Sequence, residues 1–387
     1  MKNRQKRWSA IIFLLILIIL PIMTFASKKE YFSEIENKSL ARMPKLTISK
    51  VKDKSFMNGF ESFFADHFTG RIKWIETKVD AELLVGKTEL NGIYVCDNML
   101  LEHLPNPDYT EVDKAVSAIN GFATENSGVP VSVMLAPTSG GIYTDKLPKN
   151  APQLDQKAFI DYVYSELGEN ITKIDIYNTL YTARTDNYIY YRNAHHWTSL
   201  GAYYAYNTAI QKLGFSPVSY DRFDTAHASG DFRGTSYSKT LYKKTDADTV
   251  DIYKYDAGAN VTDVTITKAI NPDGSLQTEQ HDGLYFREFL HQKDKYCTFL
   301  GSNQPMVDIK TDVRNDKKIL IIKDSYANCF VPFLINHYSE ITLLDLRYIQ
   351  TSYKNLVNVS DYTNVLFLYN ASTFSTDENL KKLMYNY

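Results

Sequence analysis

At about 100–200 residues per domain, a chain of 387 residues suggests two or three domains and at least one sizeable core. With 44% hydrophobic and 23% charged residues, wholesale disorder, a collagen-like repeat and a polytopic membrane protein are excluded. Lys+Arg number 43 against 45 Asp+Glu, a formal charge of −2 that leaves no electrostatic footprint for a nucleic-acid binder. What departs from the average is tyrosine, with 29 residues. A ring with one polar tip suits half-wet sheets and clefts that meet sugars, although an AT-rich genome produces the same excess. Three cysteines, Cys96, Cys297 and Cys329, form no Cys-x-x-Cys pair and allow at most one disulfide.

Residues 1–7 form a basic segment with Lys2, Arg4, Lys6 and Arg7 and no acid, followed by an apolar run over 8–27. About 20 residues at roughly 1.5 Å each reach about 30 Å, the hydrocarbon thickness of a bilayer. The run reads as a transmembrane signal anchor, with the basic segment cytoplasmic and everything after it extracytoplasmic. Thr24-Phe25-Ala26 also has the small residues of a signal-peptidase site, so a cleaved signal peptide competes; the length of the apolar run favours retention. An extracytoplasmic placement argues against ATP or NAD chemistry, and no phosphate-binding glycine motif occurs in the chain.

Residues 28–50 read as a polar, irregular stalk, and 51–387 as the extracytoplasmic domain. Apolar and aromatic residues recur at helical spacing from Lys54 to Leu84, predicting one or two amphipathic helices. Strands are predicted at Ile93 to Cys96, Val129 to Ala136 and Ile174 to Ile176, with helices at Glu111 to Glu125 and Gln156 to Leu167. Thr198 to Leu213 reads as a helix capped by Thr198 or Ser199 and stopped by Gly214. The stretch from about 220 to 300, with alternation over Asp248 to Tyr255 and Val261 to Lys268, reads as a β-rich insertion. Beyond it a strand over Lys318 to Lys323, a helix from about Tyr326 to His337, and strands at Ile341 to Asp345 and Asn364 to Tyr369 restore an α/β alternation, the pattern of a sheet with helices on its faces.

Three clusters bear on chemistry. Asp324-Ser325 stands where a buried strand turns into a helix, at the carboxyl edge of the sheet near backbone N–H groups able to stabilise an oxyanion. The bland alternative is an N-cap. His195-His196-Trp197, just ahead of a helix, offers an imidazole as the general base a serine needs. A metal site is disfavoured because no Cys or carboxylate stands at ligand spacing and neighbouring side chains on an extended loop point apart. Gly301 and Asn303 in Phe299-Leu-Gly-Ser-Asn are donors of the kind an oxyanion hole requires, but such a turn is common.

Taken together, His195-His196-Trp197-Thr198 with Gly201-Ala202, Phe299-Leu300-Gly301-Ser302-Asn303 and Lys323-Asp324-Ser325-Tyr326 resemble the DHHW family, which is related to the alginate O-acetylation proteins. Further matches are Ser33-Glu34-x-Glu36-Asn37-Lys38-x-Leu40, Phe64-x-Asp66-x-Phe68-x-x-Arg71, Ala136-Pro137-Thr138 leading to Leu147-Pro148, and Phe232-x-Gly234-Thr235. The resemblance implies an SGNH-hydrolase-like parallel sheet flanked by helices, in which the His element precedes the Ser element, the reverse of ordinary SGNH esterases. It implies Ser325 as nucleophile, His196 as general base, Gly301 and Asn303 as oxyanion donors, and Trp197, His195 and Tyr326 as substrate-binding residues, with no metal and no cofactor. The reaction implied is O-acetyl transfer or acetyl-ester hydrolysis on a cell-surface or secreted polysaccharide through an acetyl-serine, with an MBOAT-type membrane O-acyltransferase as acetyl source. A non-catalytic glycan-binding or scaffold subunit of the same machinery is the alternative.

One position departs from the family. Where its members carry Asp before His-His-Trp, this chain has Ala194. Loss of a triad carboxylate can cost about 10⁴ in rate while leaving nucleophile and oxyanion hole in place, so the chain is expected to be severely impaired. Three explanations stay open: an introduced inactivating substitution, favoured because every neighbouring feature is retained; a natural degenerate copy that binds glycan or a partner; or a weaker Ser-His arrangement in which Asn193 accepts the imidazole hydrogen bond.

Overall fold

The computed structural model describes residues 2–271 and 273–384, so Met1 of the basic segment lies outside the described residues. The chain divides into two compact units, Met1–Leu90 with Tyr237–Lys243, and Asn91–Ser236 with Lys244–Tyr387.

The first unit holds helices α1 (Lys2–Ala26), α2 (Ser55–Asp66) and α3 (Arg71–Leu84). Over Arg7–Ala26, 20 residues, α1 is long and apolar enough to cross a membrane, and most of that length is left uncovered by the described residues. Its last turn is engaged: Thr24 Oγ1 accepts from the Thr69 N–H at 3.1 Å, and the Phe25 ring lies 6.4 and 6.1 Å from those of Phe60 and Phe64. The segment expected to be an irregular stalk is partly tied down. Asp66 accepts from the Ala41 N–H at 2.8 Å and from Lys38 Nζ at 3.0 Å, while Arg71 forks onto the Glu36 carboxylate. Two separated sequence motifs, the one around Glu36 and the one around Asp66 and Arg71, thus close on each other.

The second unit is built on strands β1 (Ile93–Cys96), β2 (Met99–Glu102), β3 (Val131–Ala136), β4 (Ile171–Lys173), β5 (Asp224–Phe232), β6 (Asp248–Lys254), β7 (Val261–Ile270), β8 (Leu276–Gln280), β9 (Met306–Thr311), β10 (Lys318–Lys323), β11 (Glu340–Leu344) and β12 (Asn364–Asn370). The central sheet runs β8-β7-β9-β11-β10-β12-β3-β4. Its pairs from β11 to β4 are parallel, and those from β8 to β11 are antiparallel. A parallel strand is covered on both faces, which is why β10 reads Lys-Ile-Leu-Ile-Ile-Lys and is buried from Ile319 to Lys323. Alternate residues serve different layers: Ile319 and Ile321 enter one core, Leu320 and Ile322 the other. Helices α4 (Tyr109–Glu125) and α5 (Gln156–Glu166) fill the second layer, and α6 (Ser199–Lys212) the first. Thr198 caps α6, its Oγ1 accepting from the Gly201 N–H at 3.2 Å, and Gly214 stops it at φ +91°.

Some expectations shift. Ile174 to Ile176 lies beyond β4: only Ile174 still donates to the sheet, 2.9 Å to the Val133 carbonyl, and both isoleucines are buried by packing rather than by pairing. The helix expected from Tyr326 to His337 is one α-turn, Ala327–Phe330, followed by 3₁₀ winding over Val331–Asn336, since Pro332 brings no N–H to the helical ladder. β9, unassigned from the sequence, alternates buried Val307 and Ile309 with Asp308 and Lys310 over too short a run to stand out; Asp308 accepts from Thr342 Oγ1 at 2.7 Å. The stretch from 220 to 300 is β-rich, but only the β5–β6 ribbon stands apart, while β7 and β8 extend the central sheet through β9.

Burial also sets a pH response. Val218 donates its N–H to Tyr206 Oη at 2.8 Å, the same hydroxyl shares a 2.7 Å hydrogen bond with His337 Nε2, and burial pushes the His337 imidazole down to about 4. Unfolding lets it titrate near 6.5, so the unfolded chain binds the extra proton and stability decreases as pH is lowered through the range from about 6.5 to about 4. Denaturant unfolding of the chain and of His337→Gln at both ends of that range is expected to show a smaller pH loss in the variant.

Candidate active site

β10 ends at Lys323, and the chain turns at Asp324-Ser325 as the sequence predicts. The Asp324 carboxylate does the capping: it accepts from the N–H groups of Tyr326 at 2.8 Å and Asn370 at 2.7 Å, and from Asn370 Nδ2 at 2.6 Å. Burial raises the Asp324 carboxyl, and these donors with the Arg347 charge work against it. Ser325 Oγ is left for other use.

The histidines sit on a narrow turn in which Tyr190 bridges to Trp197 and the Tyr191 N–H donates to the His196 carbonyl at 3.2 Å. The turn is held from β6. Asp248, fully buried, accepts from the N–H groups of Arg192 and Asn193, both at 2.8 Å, and from the Tyr188 hydroxyl. The Asn193 side chain is consumed there too, donating to the Asp246 carbonyl at 2.6 Å and accepting from Thr245 Oγ1 at 2.6 Å. It does not serve His196, so the weaker arrangement through Asn193 is ruled out by geometry.

His196 Nε2 lies 2.8 Å from Ser325 Oγ. The imidazole stacks flat on Tyr296, with centroids 3.6 Å apart and planes 6° from parallel, and the Tyr296 hydroxyl donates to the Ser325 carbonyl at 2.9 Å. His196 Nδ1 is buried and has no hydrogen-bond partner among the described residues. Burial, then the charges of His195, Arg347 and Lys323, hold this imidazole well below the ordinary histidine value, so it is neutral at physiological pH. Ala194 is 1% exposed, and a Cβ placed on Gly234 would come within 2.5 Å of the Ala194 Cβ and 2.7 Å of the Phe232 ring. Glycine in Phe232-x-Gly234-Thr235 is therefore a packing requirement of the histidine turn.

The remaining predicted residues divide. Asn303 Oδ1 accepts from Asn328 Nδ2 at 3.3 Å and Lys323 Nζ at 3.5 Å, and Lys323 also donates to Asn328 Oδ1 at 2.7 Å. These contacts occupy the amide oxygen and leave the Asn303 NH₂ as the donor without a protein acceptor among the described residues. Gly301 follows Leu300, both in the left-handed region at φ +74° and +63°, and packs under Phe286, where a Cβ would meet the ring at 3.2 Å. Trp197 and Tyr326, expected to bind substrate, are both fully buried, Trp197 Nε1 donating to the Tyr326 carbonyl at 3.0 Å and the Tyr326 hydroxyl to the His195 carbonyl, so they join the histidine turn to the end of β10. His195 is half-buried with Nδ1 2.7 Å from Thr235 Oγ1. The two imidazoles lie together, 3.8 Å between centroids, and not apart as extended-loop geometry suggests, yet no group of three or more His, Cys, Asp or Glu side chains suited to a metal occurs among the described residues. Cys329, one turn beyond Ser325, is a buried packing residue whose thiol burial pushes up to about 12.

Tyr296, Asp248 and Lys323 do not stand out in the sequence. Tyr296 is one tyrosine among 29, Asp248 acts across more than fifty residues of chain, and Lys323 reads as the polar end of a strand.

The model of the DHHW protein family matches residues 85–344. Among solved structures, a DHHW family protein from Eubacterium siraeum superposes with a TM-score of 0.62 at 27% identity, covering 76% of this chain and 96% of that one. PatB1 from Bacillus cereus gives a TM-score of 0.62 at 21% identity, covering 75% and 99%, and has also been solved with a sulfonyl adduct. The O-acetyltransferase domain of Pseudomonas putida AlgJ follows at 0.44 and 14% identity, covering 76% and 95%. No curated protein matches the chain. The central sheet is parallel from β11 to β4 and flanked by helices, and the chain belongs to the DHHW protein family.

Proposed function

We propose that the chain is a membrane-anchored, extracytoplasmic acyltransferase or esterase of the serine type, acting on acetyl groups of a polysaccharide and arrested at Ala194. The observation that carries the reading is the 2.8 Å contact between His196 Nε2 and Ser325 Oγ, coupled to an unpartnered Nδ1 on the same ring. In the reaction, Ser325 Oγ attacks the acetyl carbonyl as its proton passes to His196 Nε2. The oxyanion is received by the Asn303 amide and the Gly301 N–H, and the leaving alcohol takes the proton back from His196. A sugar hydroxyl, or water, then gives its proton to His196 and attacks the acetyl-Ser325, which releases the acetylated product and restores the serine. An MBOAT-type membrane protein is the proposed acetyl source. The basic segment 1–7 lies in the cytoplasm, 8–27 is the anchor, 28–50 links it to the body, and 51–387 is extracytoplasmic. Ala194 sits where the family carries the Asp that would orient and charge-balance His196. That same substitution favours the second reading, a glycan-binding or scaffold subunit that retains the platform without turnover.

Labelling with an aryl sulfonyl fluoride tests the reading on the full-length chain. Ser325 is expected to be sulfonylated, and Ser325→Ala to be unlabelled. Because His196 is held neutral, the labelling rate is expected to stay flat as pH falls through about 6.5, the ordinary histidine value. In Ala194→Asp the new carboxylate stabilises the imidazolium, so the inflection moves to higher pH. Equal labelling of Ser325→Ala, or an inflection at the ordinary histidine value in the native chain, contradicts the assignment.

A further inference from the structure

The first unit exposes apolar side chains in a way a water-facing surface does not explain. Ile48 is 81% exposed, Leu46 69%, Met57 58% and Val51 52%. They interleave with Lys45, Lys50, Lys52 and Lys54, all exposed, against a single acid, Asp53, over residues 43–57. Apolar groups interleaved with cations are the composition of a segment lying in a membrane interface.

The position of this segment relative to α1 identifies what covers it. Pro44 packs on Gly59, where an added Cβ would lie 3.2 Å from the proline ring. Phe56 stacks on Phe60 at 6.2 Å, and Phe60 on Phe25 at 6.4 Å, so the segment is two ring contacts from the last turn of α1. Trp74, 55% exposed, donates Nε1 to the Thr69 carbonyl at 3.2 Å, and the Thr69 N–H donates to Thr24. A half-exposed tryptophan fixed at the carboxyl end of a spanning helix is where an interfacial aromatic belt stands, and Trp8 occupies the opposite end of α1. We infer that residues 43–57 form a collar on the outer face of the bilayer, with Leu46, Ile48, Val51 and Met57 at the acyl boundary and the four lysines against anionic phospholipid headgroups. This rests on the reading of α1 as a retained anchor. The engagement of Thr24 and Phe25 by α2 and the turn after it gives that anchor a folded partner at its outer end.

The test uses the full-length chain in vesicles of phosphatidylcholine with or without phosphatidylglycerol, with Cys96, Cys297 and Cys329 replaced by Ala. Spin labels are placed singly by Leu46→Cys, Ile48→Cys and Met57→Cys, with Ile16→Cys in the anchor and Lys114→Cys on α4 as references, and collision rates with oxygen and with a water-soluble nickel chelate are measured. The oxygen-to-nickel ratio at 46, 48 and 57 is expected to be several-fold above that at 114 and to rise further with phosphatidylglycerol. Replacing Lys45, Lys50, Lys52 and Lys54 by Gln is expected to abolish that further rise. A ratio at 46, 48 and 57 equal to that at 114, while 16 reads as hydrocarbon, overturns the collar and leaves the anchor standing. Protection of these positions from both reagents overturns it in favour of a protein partner or a second copy. A water-like ratio at 16 overturns the anchor reading and the collar with it.

Discussion

Ala194→Asp is expected to raise turnover of an activated acetyl ester by up to about 10⁴, or about 5.5 kcal/mol of transition-state stabilisation. His196 already holds Ser325 Oγ at 2.8 Å, its ring is fixed by Tyr296, and the backbone of its turn is clamped by Asp248. In the proposed reaction what is missing is a group on Nδ1 to select the tautomer with Nε2 free to accept the serine proton, and then to stabilise the imidazolium that an attack by Ser325 would form. Burial at present makes that imidazolium costly, as does the positive charge of Arg347 and Lys323. The absence of a side chain on Gly234 is what lets residue 194 carry a Cβ at this turn. The gain is expected in kcat, since the groups available to bind substrate are unchanged. Steady-state hydrolysis by the two forms checks this, and equal rates would remove His196 from the role of base.

In the Ala194→Asp background, Asn303→Ala is expected to lower kcat by about 10²–10³, the cost of one oxyanion donor, about 2.7–4 kcal/mol. The amide is oriented by its neighbours: with Oδ1 held by Asn328 and Lys323, the NH₂ is the end without a protein acceptor among the described residues, and it is the proposed oxyanion donor. Lys323→Met removes one of those holds and leaves two amide oxygens short of a buried donor. Its loss is expected to be smaller than that of Asn303→Ala and to fall on kcat while KM is kept. A change in KM alone for both variants would place Asn303 and Lys323 in ground-state binding.

The strand leading to Ser325 is legible because a parallel strand buried on both faces has an unbroken apolar run, and the turn after it because Asp-Ser follows at once. The histidine element is legible by its residues, and its helix by the Thr198 cap. What brings the two together is not. Tyr296 supports His196 from a short 3₁₀ turn with no periodicity, and Asp248 fixes the turn from a ribbon whose sequence reads only as alternating. The tyrosine excess carries the wrong suggestion in part. Tyr190, Tyr191, Tyr206, Tyr326, Tyr338, Tyr353 and Tyr369 are fully buried, so they are core residues and do not line a sugar cleft. Tyr190 spends its hydroxyl on the Pro137 carbonyl at 2.5 Å, which allows a ring with a polar tip to enter a core, whereas the buried hydroxyls of Tyr191, Tyr338 and Tyr369 have no hydrogen-bond partner among the described residues. Trp197 and Tyr326 are buried in the same way: aromatic residues adjacent to the proposed nucleophile and base look like cleft walls in the sequence, and in the structure they pack between the strand and the turn.

On the proposed function, Ser325 is a nucleophile whose machinery lacks only the carboxylate at 194. Intact-mass and peptide analysis of the Ala194→Asp form, acid-quenched during turnover of an activated acetyl ester, tests it most directly. One acetyl group on the peptide carrying Ser325, absent from Ser325→Ala and lost on a chase with a hydroxylated acceptor, is the predicted result. Turnover with no acetyl group on Ser325, or with the acetyl group on another residue, would contradict the account.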